Sequence, residues 1–161
     1  MTAKKLFILK ANLQKRGIMN NMKYRFERSF ELKLQLPQED FKQISCADNI
    51  KKALEKPNTV GFDIYYKDKM VAFAMLRDYG GGYFLWNYAV DKECRNQGLG
   101  SSVLLDLFEF LKTYYNAREI TTTYIYGNGR AKHIYEKAGF TQTDVVEEDG
   151  IHEVNMVINL Q

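Results

Sequence analysis

Apolar residues recur along this chain in two periods, and the changes between them mark out its elements. Leu104, Leu107, Phe108, Leu111 and Tyr115 repeat at helical spacing and predict a helix over 99–115. Near the start, Tyr24, Phe26, Phe30 and Leu32 alternate among charges, which predicts a strand over 23–34. Pro37 then opens two short helices, 38–46 and 48–56, with Asp48 as the N-cap of the second, and Pro57-Asn58 closes them. Strands follow at 60–66 and 69–77, joined by Lys67-Asp68, and after Gly80-Gly81-Gly82 the next begins near Tyr83 and runs through Asn87-Tyr88-Ala89-Val90. Beyond the long helix come a Thr- and Tyr-rich strand over 119–126 and a short helix from Asn128 to Ala138, which Gly139 terminates. Two last strands, 140–147 and 151–159, are linked by Glu147-Glu148-Asp149-Gly150, where Asp-Gly is a hairpin signal. The whole reads as an α/β domain with a mixed sheet and interleaved helices.

Length adds that one domain is the default, since 161 residues with 45% hydrophobic content form one core but not two comfortable ones. The net charge of +3 conceals an asymmetry. Residues 1–21 carry Lys4, Lys5, Lys10, Lys15 and Arg16 and no acid, so the remainder holds 18 basic against 20 acidic residues. The domain itself is slightly acidic, and the basic balance gives no argument for nucleic-acid binding. We therefore expect a dispensable N-terminal basic extension over 1–21 and a single domain over 22–161. An arm that meets an acidic partner or a membrane surface is the functional alternative for the extension. Its apolar stretch Leu6-Phe7-Ile8-Leu9 is shorter than a signal-peptide core and far too short to cross a bilayer, so neither secretion nor membrane insertion is expected. Cys46 and Cys94 have neither metal-ligand nor CxxC spacing, which predicts reduced thiols in a cytoplasmic protein, with Cys94 open to being an exposed thiol. With only His133 and His152 besides, no metal site is expected.

Candidate chemistry enters at Val90-Asp91-Lys92-Glu93-Cys94-Arg95-Asn96-Gln97-Gly98-Leu99-Gly100-Ser101, where a strand meets a glycine-rich turn that opens into the long helix. Glycines at 98 and 100 let the backbone come close to a ligand, and the first N–H groups of a helix have no internal partners and can point at an anion. A P-loop requires Gly-Lys-Ser/Thr, but Ser101-Ser102 follows Gly100. A dinucleotide fingerprint wants a third small residue where Val103 stands, although Glu119 lies at a suitable distance beyond the turn, so a nicotinamide-dependent oxidoreductase is one alternative. The pattern Arg/Gln-x-x-Gly-x-Gly/Ala is matched in full by Arg95, Gly98 and Gly100. This resembles the acetyl-CoA pyrophosphate loop of the GNAT superfamily of N-acetyltransferases. A second block, from Asn128 through Tyr135 to Gly139-Phe140, is similar to the family's later block, in which an asparagine opens a short helix that carries a tyrosine.

The resemblance implies a GNAT-like mixed, mostly antiparallel sheet of six to seven strands with helices on both faces, and acetyl-CoA as co-substrate without a metal. It implies pyrophosphate on backbone N–H groups across Gln97, Gly98, Leu99, Gly100 and Ser101, with Asn96 in the same loop and Arg95 supplying positive charge. It implies the pantetheine arm against Tyr88, Ala89 and Val90, and beside Asn128. The N–H of Tyr88 would face the thioester carbonyl, and Tyr135 would protonate the leaving thiolate. From periodicity alone Ala131, Ile134, Tyr135 and Ala138 equally make a buried stripe, and Asn128 equally makes a helix cap. No general base is assigned: Tyr83 to Tyr88 holds no carboxylate, and Asp78, Asn87 or Glu153 would need a water relay. The acidic tip Glu147-Glu148-Asp149 hints at a cationic acceptor such as a polyamine, aminoglycoside or peptide amine, and equally reads as a solvated turn. The expected activity is transfer of an acetyl group to a primary amine, the alternative a GNAT-fold acyl-CoA sensor without efficient turnover. A homodimer is left open.

Overall fold

A computed structural model describes residues 2–161. Helix α1 (Ala3–Asn21) leads into strand β1 (Arg25–Ser29), a 3-10 turn (Gln38–Lys42), α2 (Ala47–Leu54), β2 (Thr59–Tyr66), β3 (Lys69–Asp78) and β4 (Gly82–Val90). A second 3-10 turn (Lys92–Cys94) precedes α3 (Leu99–Tyr115), β5 (Glu119–Ile125), α4 (Gly129–Ala138), β6 (Thr141–Glu148) and β7 (Ile151–Asn159). The strands form one seven-stranded sheet in the order β1-β2-β3-β4-β5-β7-β6. Every neighbouring pair is antiparallel except β4 and β5, which the α3 crossover makes parallel. This is the mixed, mostly antiparallel sheet expected.

Two apolar clusters sandwich the sheet. The larger joins Phe62, Ile64, Leu76, Leu85, Ile120 and Met156 of the sheet to Val103, Leu104, Leu107 and Leu111 of α3 and to Tyr135 and Ala138 of α4. The smaller joins Ile50, Ala53 and Leu54 of α2 to Phe73, Met75 and Ala89 on the opposite face. Each fully buried leucine or isoleucine is worth about 1.5–3 kcal/mol against exposure, so α3, with its unbroken apolar stripe, is the main anchor of the fold.

Most predicted boundaries agree to within a residue or two, and α3 has the limits its periodicity predicts. The exceptions have local causes. The strand expected over 23–34 ends at Ser29, whose Oγ donates to Glu31 O at 2.9 Å in a bend. Leu32, Leu34 and Leu36 then pack partly buried against the smaller cluster instead of continuing the sheet. The helix expected over 38–46 is the 3-10 turn. Asp48 is not the N-cap of α2: Cys46 holds that place without a side-chain bond, and Asp48 lies in the first turn, where its charge favours the helix dipole. Residues 3–21 form a helix, none of whose described side chains is buried. Cys94 is buried, its thiol pushed up by burial and directed at Asp91 Oδ2, so it is no exposed reactive thiol. In the last hairpin Asp149 and Gly150 both have positive φ, as the Asp-Gly signal requires.

One irregularity governs the site. Met75 pairs with Asn87 while Leu76 pairs with Leu85, so Trp86 is an extra residue bulging from β4. Bulges bend the strand that carries them, and this one lies where β4 leaves β5.

Candidate functional site

The parallel pairing of β4 with β5 runs from Gly82 and Glu119 to Leu85 and Thr122 and stops there. Beyond it β4 continues to Val90 and β5 to Ile125, and a cleft opens between them. On its other edge β4 stays paired with β3, and Asp91 N–H donates to Val71 O at 2.8 Å. That bond sets the phase of the antiparallel ladder. Asp91, Ala89 and Asn87 turn their backbone groups to β3, so Tyr88 and Val90 turn theirs toward the cleft. On the far wall Gln43 satisfies the backbone that β4 has left, its Oε1 accepting from Ile125 N–H at 2.9 Å and its Nε2 donating to Thr123 O at 3.3 Å.

The cleft has a volume of about 710 Å³, a size ordinary for a ligand site. Of the cofactor-binding and catalytic residues that the resemblance implies, all but Gln97 line it: Tyr88, Ala89 and Val90 of β4, the rest of the loop from Arg95 to Ser101, and Asn128 and Tyr135. The loop reaches α3 through left-handed backbone at Asn96 (φ +61°) and Gly98 (φ +74°). The first helical bond runs from Ser102 N–H to Gly98 O, so the N–H groups of Leu99, Gly100 and Ser101 precede it and have no acceptor within the helix.

The two glycines do different work. A Cβ on Gly98 would lie 3.6 Å from Lys137 Nζ, whereas a Cβ on Gly100 would lie 3.0 Å from Ile134 Cδ1. Gly100 is buried, and its lack of a side chain makes room for Ile134 of α4.

Arg95 also departs from expectation. Its Nε donates to Val90 O at 3.0 Å and its guanidinium pairs with Asp40, both side chains being nearly buried. Asp40 comes from the 3-10 turn and is reached by Arg130 as well, at 3.5 Å. The Arg95 charge is thus already met, and its geometric effect is to tie the 38–42 turn to the end of β4. Among the described basic residues lining the cleft, Lys42, His133 and Lys137 form no ion pair.

Tyr88 donates from its hydroxyl to Gly100 O at 2.7 Å, and burial pushes its phenol well above the usual value. Tyr135 lies buried with its ring against Tyr124 and Phe140, and burial pushes its phenol up to about 12. Tyr135 therefore belongs to the core stripe and lines the cleft at once. Asn128 caps α4, its Oδ1 accepting from Ala131 N–H at 3.1 Å, and its Nδ2 donates to Gln43 Oε1 at 3.4 Å.

The three candidates for a relayed base fare differently. Asp78 accepts from Gly80 N–H at 2.7 Å in a turn away from the cleft, and Asn87 is tied to Ser45 through both ends of its amide. Glu153 is exposed and lies opposite Ile125, at the cleft end of β7. The tip residue Glu147 pairs with His152 at 3.3 Å. Among the described residues no histidine, cysteine and carboxylate cluster could hold a metal ion, and no helix is long and apolar enough to cross a membrane.

Sequence reasoning missed Asp40, Gln43, Arg130 and Lys137. The helical spacing of Arg130, Ile134 and Lys137 would have placed the last on the same face as Ile134, but Asp40 meets Arg95 across 55 residues and has no local signal.

Residues 21–140 match the sequence profile of the Acetyltransferase (GNAT) family. No curated protein matches the sequence. The fold is that of solved acetyltransferases. A Bacillus subtilis acetyltransferase in complex with CoA aligns with a TM-score of 0.65 at 18% identity, over 86% of this chain and 100% of the other. Spermidine N-acetyltransferase from Vibrio cholerae, with CoA and spermine, gives 0.64 at 12% over 87% and 97%. Aminoglycoside acetyltransferase AAC(6')-Ib, with coenzyme A and kanamycin, gives 0.63 at 17% over 76% and 83%. The profile covers well over half of the chain, the bulged β4 parts from β5 beside the glycine-rich start of α3, and on both grounds this chain belongs to the GNAT acetyltransferase family.

Proposed function

We propose that the protein transfers an acetyl group from acetyl-CoA to a primary amine. The observation that carries this reading is the parting of β4 from β5 beyond Leu85, since the pantetheine arm needs an open strand edge to pair with. Acetyl-CoA supplies the acyl group as an activated thioester, and this chain's residues do the rest. The N–H groups of the loop through Ser101 receive the pyrophosphate, and the cleft-facing backbone of Tyr88 and the N–H of Val90 receive the arm beside Asn128. Tyr88 N–H is aimed at the thioester carbonyl oxygen, where one preorganised donor is worth about 2.7–4 kcal/mol. The amine nitrogen bonds to the thioester carbon and loses a proton to water. Tyr135, with its phenol near 12, keeps its own proton at neutral pH, gives it from Oη to the sulfur as the C–S bond breaks, and regains one from water. Kanamycin and spermine, named with two of the similar structures, are polycationic amines, which supports a cationic acceptor here.

A second reading, a sensor that binds acyl-CoA without efficient turnover, is favoured by one observation. Asp40, the buried carboxylate of the cleft, is held between Arg95 and Arg130 and is not free to take a proton from the amine. A thiol-release assay with acetyl-CoA over polyamines, aminoglycosides and peptide amines separates the two. Amine-dependent release supports transfer, and binding of CoA without release supports the sensor.

A further inference from the structure

We infer that Lys137, rather than Arg95, is the side chain whose charge meets the pyrophosphate of coenzyme A, an assignment that rests on the acetyl-CoA reading above. The motif offers Arg95 for that task, but in this chain its guanidinium is turned to Asp40 and its Nε to Val90 O, with 12% of the side chain exposed. An arginine so engaged cannot reach the loop without leaving a nearly buried carboxylate behind. Lys137 stands at the loop instead. It is exposed in the last turn of α4 and lines the cleft, with Nζ 3.6 Å from the point where a Gly98 Cβ would lie. No hydrogen bond or ion pair claims it among the described residues, whereas Lys132 on the same helix pairs with Glu136.

The arrangement puts a free ammonium beside backbone N–H groups that have no acceptor within the helix, and a doubly charged pyrophosphate answers both. A lysine is suited to this place as a compact charge on a flexible stem that can follow the phosphates. Arg130, seven residues earlier on the cleft side of α4, is shared with Asp40 and is the weaker candidate.

A lysine in a last helical turn also favours the helix dipole, so the test must separate affinity from stability. Parent, Lys137→Met and Lys137→Arg are titrated calorimetrically with coenzyme A and with dephospho-coenzyme A, which keeps the pyrophosphate and lacks the 3′-phosphate, at low and high salt. Lys137→Met is expected to weaken both ligands alike, by about tenfold or more (about 1.4 kcal/mol), with a shallower dependence on salt, while Lys137→Arg stays near the parent. Unchanged affinity in Lys137→Met, with or without a lower Tm, overturns the assignment. So does a loss confined to coenzyme A, which would move the lysine to the 3′-phosphate. Failure of the parent to bind either ligand has a different signature and overturns the acetyl-CoA reading beneath it.

Discussion

Tyr135 is the side chain on which the proposed chemistry turns, and its position makes the test a sharp one. Because the ring packs in the core while the residue also lines the cleft, Tyr135→Phe keeps the packing and removes the acid. We expect kcat to fall about 10²–10⁴-fold with coenzyme A affinity nearly unchanged. Intact turnover with lowered stability would make the residue core alone. Gly100 invites the opposite experiment. Gly100→Ala brings a Cβ to 3.0 Å from Ile134 Cδ1, and overpacking of this kind costs about 1–3 kcal/mol. Ile134→Val removes the atom in the way, so the double variant should recover part of the loss in a denaturant titration, and strict additivity of the two losses would contradict the packing role. At this scale the sequence was most legible where roles follow from spacing along one helix. The N-cap at Asn128, the buried stripe through Tyr135 and the terminator at Gly139 all follow from α4's own register. What Arg95 does depends on Asp40, which the fold alone brings to it.

Among the elements, long periodic segments were read correctly because packing and local preference agree there, as in α3, whose buried stripe fills the centre of the larger cluster. The 38–42 turn was not, because it is held by contacts to distant walls and not by its own pattern: Asp40 ties it to Arg95 on one side, and the adjoining Gln43 to Ile125 on the other. The β4 bulge had no signal either, since Trp86 is an ordinary strand residue and only the register against β3 reveals it as extra. Helix α1 poses the question of where the working unit starts. Just past it, Lys23 and Tyr24 N–H donate to Asp106 Oδ2 at 2.9 and 3.0 Å, fastening the chain to α3, while Leu6, Phe7, Ile8, Leu9 and Leu13 within it stay exposed. On the proposed boundary, a chain starting at Met22 keeps the parent's Tm and coenzyme A affinity. A marked loss of either would mean that α1 packs on the domain.

For the molecule as a whole, the buried phenols predict how stability responds to alkali. Burial raises Tyr83 and Tyr135 to about 12 and moves Tyr88 the same way, whereas a phenol in the unfolded chain titrates near 10. The folded state therefore holds these protons more tightly. Their contribution to stability is fully present below about pH 10 and is lost as pH rises toward 12. Denaturant titrations up that range should show a steep decline above about pH 10, with a further rise in tyrosinate absorbance, beyond that of the exposed tyrosines, as the chain unfolds. Tyrosinate absorbance appearing for all three at about pH 10 in the folded protein would contradict their burial. In the proposed reaction an open strand edge, an anion-receiving loop and a buried phenol act together in acetyl transfer. The most direct measurement is thiol release from acetyl-CoA across the amine panel, with the parent and Tyr135→Phe run side by side. Release that needs an amine and collapses in Tyr135→Phe is the predicted result, and a parent that binds coenzyme A yet releases no thiol with any amine would contradict it.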